Sequence, residues 1–356
     1  MEQGTNIFLA DVAAGLDDAS RDRRKEILRV FWPERTALHT LVDEASYASF
    51  FQYFHREISQ LQPYRRYFAV QDLKGLFGIV RMLQMNPKQS KSRIVEQLSS
   101  HFSNAEPTAL HRSLELSVRL WLTINVNSTT IAVGPTFPDE SPLEWEPNLS
   151  LHDLVERQFG QGIQANGKGR RWQIDATLTA AYLVNNCGMS ISWTDSISDH
   201  LRFDPTSQVL SIYRHKVCLA NHLDTPESCP VPKYVLAEIL DTLNVLLPFG
   251  DFATKQLLIK KNQQPLYRLG SCGRARNLEL TQYRYFREEL EYLIEAFNRP
   301  PRTWKQLALD KRNKPEWAAF WVTVMVAFLT LVSIPCSIIQ AVYSVKSYNI
   351  AVAQAK

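Results

Sequence analysis

Cysteine is scarce in this chain: five residues, spread over Cys187, Cys218, Cys229, Cys272 and Cys336. So dilute and odd a set excludes a secreted module stapled by disulfides and implies reduced thiols. Neither sign of charge is in real excess. Lys+Arg 40 against Asp+Glu 36 leaves a formal +4, too little for the field that draws a protein to nucleic acid. The signatures of common catalysis are missing too. There is no Gly-x-Ser-x-Gly elbow, no His-Glu-x-x-His pair and no Gly-rich loop ending in Lys-Ser/Thr. The opening residues, Met1 to Ala10, hold no long apolar run and lead with acid, so targeting is expected from the other end. What is present is 45% hydrophobic and 11% aromatic, the composition of a chain that folds.

The longest signal is C-terminal. Residues Ala318 to Val345 carry no formal charge over 28 positions. As helix, at about 1.5 Å per residue, they exceed the roughly 30 Å hydrocarbon thickness of a bilayer. Trp317, Phe320 and Trp321 gather at the entry, and Tyr343 and Tyr348 stand near the exit, where amphipathic rings meet the two interfaces. With Phe328 and the kink expected at Pro335, these residues define one membrane helix over 317–345. A short tail, 346–356, follows. Arg302, Lys305, Lys311, Arg312 and Lys314 precede the span, and only Lys346 and Lys356 follow it. That asymmetry puts the bulk of the chain in the cytosol, and so short a tail favours insertion after translation. Asn127 and Asn148 begin Asn-x-Ser/Thr patterns, but under this topology neither carries glycan.

The rest reads as mainly α with minor β, an α+β body. Apolar residues recur at three- and four-residue steps over Leu38 to Leu61 (Phe51, Phe54, Ile58), Gln71 to Met85 and Ser90 to Phe102, which predicts helices. Further helices are expected over Asp18 to Phe31, Pro107 to Leu120, Ser150 to Phe159, Asp175 to Asn186, Pro232 to Leu247 and Thr281 to Phe297. Leu122 to Val133 turns to Thr, Ile, Val and Asn and predicts a strand or short hairpin. Another hairpin is expected over Leu201 to Arg214, turning at Asp204-Pro-Thr-Ser-Gln. Pro135, Pro138, Pro142 and Pro147 make 134–149 a loop and the natural internal boundary. The expected organisation is a helical region 1–133, that loop, an α+β region 150–299, a basic juxtamembrane segment 300–316, the span and the tail.

Four sites carry candidate chemistry. His215, Cys218, His222 and Cys229 are the densest potential metal ligands, yet their H-x2-C-x3-H-x6-C spacing fits no standard zinc motif, and packing is the simpler reading. Asp195, Asp199 and His200 lie close in sequence and suit helix capping better than acid–base work. Gly167-Lys168-Gly-Arg170 reads as a solvated turn, with an anion site as the lesser reading. The helix over 175–186 and the hairpin after it suggest a winged-helix-like arrangement, but that helix lacks the Arg and Lys of a recognition helix, so protein contacts are expected there and nucleic acid is not. No cofactor is implied.

From Trp193-Thr-Asp-Ser-Ile-Ser-Asp-His-Leu201 onward the chain resembles a family of filamentous-fungal proteins. In that family a WTDxIxDHL-like segment precedes a hairpin, a charged helix and a Pro-Pro step. A tract like Asp310-Lys-Arg-Asn-Lys-Pro-Glu-Trp-Ala-Ala-Phe-Trp321 then leads into one membrane helix. The resemblance covers about the last 170 residues and implies a single-pass topology, with a secondary-metabolite or subtelomeric gene setting, but no reaction. The charged helix and span also look like the end of bacterial magnesium-transporter channels. Those need two spans and a Gly-Met-Asn loop, and this chain has neither, so transport is not implied. The expectation is a membrane-anchored interaction or scaffold protein whose partners are lipid and an unidentified protein. The alternatives are a membrane-attached enzyme whose site exists only in three dimensions, and the winged-helix module.

Overall fold

The computed structural model describes residues 7, 18–33, 44–127, 142–160, 173–225, 227–299 and 314–354. It is 67% helical and 7% strand, mainly α with minor β. Residues 1–184 and 189–297 form one compact unit, the body; residues 185–188 and 298–356 form a second. Residues on both sides of the Pro-rich stretch fall within that one unit.

The first half of the body is helical, with α1 (Asp18–Phe31), α2 (Ala48–Leu61), α3 (Leu73–Met85), α4 (Lys91–His101) and α5 (Pro107–Leu122). α2 buries Phe50, Phe51, Tyr53, Phe54, Ile58 and Leu61 on one face, as its periodicity predicts. Of the helix expected from Leu38, residues through 43 lie outside the described ones, and Glu44–Tyr47 is a 3-10 turn. α3 starts at Leu73 because the Asp72 carboxylate accepts the Gly75 N–H at 2.8 Å, a side-chain cap. α5 opens on proline and packs against both α3 and α4, burying nearly every residue from Ala109 on. Thr123 ends it in the left-handed region, φ 54°.

The strand expected after α5 is only β1 (Val126–Asn127), and it is no hairpin. Its partner β2 (Leu143–Glu144) runs parallel; residues 128–141, between the two strands, lie outside the described residues. A docked tryptophan follows β2. Trp145 is fully buried and its indole N–H donates to the Leu149 carbonyl at 2.9 Å. Lys91, itself buried, lies 5.0 Å from the Trp145 ring, donates to the Trp145 carbonyl at 3.2 Å and pairs with Glu115 at 2.7 Å. This buried pair joins α4, α5 and the returning chain. Lys91→Met alone is expected to cost about 3 kcal/mol by stranding Glu115, whereas Lys91→Met with Glu115→Leu should recover most of it. A urea-denaturation double-mutant cycle measures the difference, and additive single costs would refute the coupling.

The second half begins with α6 (Leu151–Gly160), capped by Ser150, whose hydroxyl accepts the Asp153 N–H at 3.0 Å. The helix expected over 175–186 is confined to α7 (Ala180–Asn186). Asp175 instead accepts the Thr177 N–H at 2.7 Å in a local turn, and Thr179 caps the helix at Tyr182. A three-stranded sheet follows, made of β3 (Ser190–Thr194), β4 (Phe203–Asp204) and β5 (Val209–Tyr213) in the order β3-β5-β4. β4 and β5 form the expected hairpin, turned by Asp204, which accepts the Thr206 N–H at 2.9 Å. β3 pairs with β5 in parallel, Trp193 opposite Ile212. The hairpin thus stands after a helix shorter than expected, and β3 adds a parallel third strand to it.

Next come α8 (Lys216–Asp224), α9 (Lys233–Leu246), α10 (Phe252–Lys260), α11 (Gln264–Arg268) and α12 (Arg287–Asn298). α8 and α9 pack together. The Glu238 carboxylate of α9 accepts the N–H groups of Arg284, Tyr285 and Phe286 at 2.9, 2.7 and 2.7 Å. This restraint explains why the helix expected from Thr281 starts only at Arg287.

In the second unit, α13 (Lys314–Gln354) runs through Pro335 and on through most of the expected tail. Trp317–Gln354 has mean hydropathy 2.3 and none of its apolar window is buried. It is long and apolar enough to cross a membrane. Its hydroxyls bond back into the helix, Thr323 to the Ala319 carbonyl and Thr330 to the Val326 carbonyl at 2.8 Å, and Ser337 to the Ser333 carbonyl at 2.9 Å. In lipid, such side chains need internal partners of this kind. Phe328 and Tyr343 are exposed, and Trp321 packs edge-on against both Trp317 and Phe320. Of the basic flank, 300–313 lies outside the described residues.

Candidate functional site

The densest polar chemistry converges on Asp195, at the end of β3. β5 ends beside it and places Arg214 and His215 there; α2 brings Arg56 from the other side. Arg214 grips the carboxylate with Nε on Oδ1 at 2.5 Å and Nη2 on Oδ2 at 2.9 Å. His215 Nε2 donates to Oδ1 at 2.6 Å, and Arg56 Nη2 donates to Oδ2. Burial opposes ionisation of Asp195, but the His215 hydrogen bond and the Arg214 guanidinium prevail and hold the carboxyl far below the usual carboxylate range. A second layer extends the node: Glu57 pairs with Arg56 and, at 3.1 Å, with Arg119, which donates to the Asn125 side chain at 2.6 Å. The result ties α2, α5, β3 and β5 together through charge.

This node is saturated. Two carboxylate oxygens offer about four acceptor positions, and four donors occupy them, so Asp195 has no lone pair left for a substrate proton. His215 is fully buried, burial lowers its pKa against the pull of Asp195, and its Nδ1 has no partner among the rings of Phe50, Tyr53 and Tyr213. The arrangement clamps the fold and offers no open reaction centre. Capping, the expected role of Asp195, is not what it does. Asp199 pairs with Arg202 at 3.0 Å.

Two further buried histidines have both ring nitrogens committed. His200 Nδ1 accepts the Tyr213 N–H at 3.2 Å, so its Nε2 carries the proton and donates to Thr242 Oγ1 at 2.8 Å. Thr242 passes the bond on to the Ile239 carbonyl at 2.7 Å. Burial lowers His200 to about 3. His222 sits between two tryptophans: its Nδ1 accepts from Trp32 Nε1 and its Nε2 donates to the Trp121 carbonyl, both at 3.2 Å. Burial lowers it to about 4.

The four candidate metal ligands therefore do not converge. His215 and His222 have the partners just given; burial pushes the Cys218 thiol well up and that of Cys229 to about 12, the wrong direction for a thiolate ligand. Among the described residues, His152, Asp153 and Glu156 alone bring three ligand atoms close enough for an ion. They are exposed or half-exposed on α6, and Asp153 already binds the Ser150 hydroxyl at 2.6 Å. All five cysteines are described, and none forms a disulfide.

Two surface grooves lie away from Asp195. One, about 380 Å³, runs between Asp153, Arg157, Tyr234 and Tyr285; the other, about 550 Å³, between Arg66, Tyr67, His101 and Arg112. Asn127 is half-buried in β1 and Asn148 exposed in a turn. The glycine-rich segment with Lys168 and Arg170 lies outside the described residues. Sequence reasoning missed Arg56, Glu57 and Arg119, whose pairing joins positions as far apart as 56 and 195. Compared with known proteins, the chain matches no family model, no curated protein and no solved structure.

Proposed function

We propose that the protein is a single-pass membrane protein whose body faces the cytosol and works as a tethered interaction module. One observation carries this reading: α13 presents apolar side chains to the outside over a length that crosses a bilayer. Left in water, so large an exposed apolar surface would drive aggregation; in lipid it is the favoured state. The basic residues before the span, Arg302 to Lys314, against Lys346 and Lys356 after it, support the cytosolic orientation. Tethering then replaces a bimolecular encounter by a confined one. The saturation of Asp195 favours an interaction role over a membrane-attached enzyme. The resemblance to single-span fungal proteins agrees with this topology, and the gene-cluster setting that it implies is part of the proposal.

The full chain should stay with membranes through alkaline carbonate extraction. A version ending at residue 316 should move to the soluble fraction and lose its specific neighbours in proximity labelling. Recovery of the intact chain, monodisperse and without detergent, in the soluble fraction would refute the anchor. A glycan on Asn127 or Asn148 would refute the orientation.

A further inference from the structure

The corner between α9 and α11 exposes the wrong side chains for a free aqueous surface. Phe249 is 61% and Phe252 73% exposed, on either side of Gly250, and Ile259 is 43% exposed. Gly250 turns the chain at φ 90°, which favours glycine. Along α10, Phe252, Lys255, Gln256 and Ile259 recur at three- and four-residue steps and are exposed, while Thr254, Leu257 and Leu258 are buried. One helix face is therefore outward, apolar and basic. Tyr267 fastens the patch: its hydroxyl accepts the Gly250 N–H at 3.2 Å, its ring lies 5.1 Å from that of Phe249, and Lys255 Nζ lies 6.0 Å from it.

Lysine dominates the charge on this corner. Lys255, Lys260 and Lys261 are exposed. Asp251 is the sole acid between Phe249 and Arg268, and its carboxylate accepts the Thr254 N–H at 2.7 Å, capping α10. Exposed phenylalanines rimmed by lysines are the chemistry of an interfacial contact. The rings enter the headgroup boundary, and the lysine stems lie along it with their ammonium groups at lipid phosphates.

We propose that this corner is a lipid-contact surface that lays the body on an anionic bilayer. The inference rests on the membrane-anchor reading, which supplies the bilayer. Residues 298–316 span at most about 68 Å when extended, so the body stays at high effective concentration beside the leaflet. The cytosolic leaflet is the negative one, complementary to the three lysines. A protein partner would find the same apolar rings, but the excess of lysine favours lipid.

The test uses the full chain in nanodiscs of phosphatidylcholine alone, or with about 30 mol% phosphatidylserine. Hydrogen exchange is followed in the segment 248–263. Exchange there is expected to slow by about fivefold or more with the anionic lipid, on the strength of charge attraction at the surface. High salt should erase the effect, as should Lys255→Glu/Lys260→Glu/Lys261→Glu, and Phe249→Ser/Phe252→Ser should weaken it. Unchanged exchange in α5 shows that each variant is folded. A chain that enters discs but exchanges equally in both lipids overturns this inference and leaves the anchor standing, and so does protection of the segment independent of lipid charge, the mark of a protein-docking face. A chain that does not enter discs overturns the anchor, and this inference with it.

Discussion

Replacing Asp195 by alanine is expected to destabilise the body by about 3–5 kcal/mol, the usual cost of removing one member of a buried ion pair. Two of the groups left behind carry most of the cost. Arg214 loses both halves of its bidentate grip, and His215, with no exposure, loses the acceptor of its Nε2–H. Arg56 adds less, because its side chain is 37% exposed and Glu57 remains beside it. Arg56→Met should accordingly cost about 1 kcal/mol, the scale of a half-exposed pair. Asp195→Asn keeps the volume but turns an amide donor toward guanidinium groups, and should fall near the alanine variant. Domain stabilities are about 5–15 kcal/mol, so the alanine variant would be marginal. Urea denaturation of the full chain in detergent, followed through the buried Trp32, Trp121 and Trp145, reads these differences. A cost below about 1 kcal/mol for Asp195→Ala would remove the node from the stability of the fold.

The same residues show what the sequence made legible. The long apolar C-terminal helix was readable because its signal is local: a run of side chains and the absence of charge, needing no partner. Helix faces in α2 and α3 were readable for the same reason, since three- and four-residue spacing is a property of one segment. Pairing was not. β1 finds β2 in parallel, and two-residue strands leave too short a pattern to show direction. Asp195 looked like a cap because it follows a strand and precedes Ser196, the usual local role of such residues. The role it has depends on Arg56, which the fold of the intervening chain alone brings within reach. Likewise the spacing around His222 pointed to packing, but its partners, Trp32 and Trp121 on its two nitrogens, come from distant segments. Long-range charge pairs fix the body, and sequence spacing carries no record of them.

The body should also lose stability as soon as pH falls through the mid-sixes, well before its carboxylates titrate. His200 and His222 are neutral in the folded state, lowered to about 3 and about 4, whereas in the unfolded chain they titrate near 6.5. Between those values the unfolded state binds more protons, so stability rises with pH and falls with acid. Each histidine contributes about 1.4 kcal/mol per pH unit across that window. From pH 6.5, where the unfolded rings are half protonated, to pH 5 the two together therefore remove roughly 3 kcal/mol. His215, lowered by burial in the same direction, can only steepen the loss. The bonding geometry gives the shifts their cause beyond burial: Nδ1 of each ring accepts an N–H, from Tyr213 in one case and Trp32 in the other, so a proton there would set donor against donor. Asp195, also lowered in the folded state, has linkage of the same sign in a lower window, its stabilisation complete above the unfolded aspartate value and lost as pH drops toward its depressed folded one. Denaturant midpoints measured from pH 7.5 to 4.5 test the scheme. His200→Gln keeps a polar side chain but cannot titrate, and should remove about half of the slope between pH 6.5 and 5. A flat profile across that interval would mean that these rings do not stay neutral in the folded body.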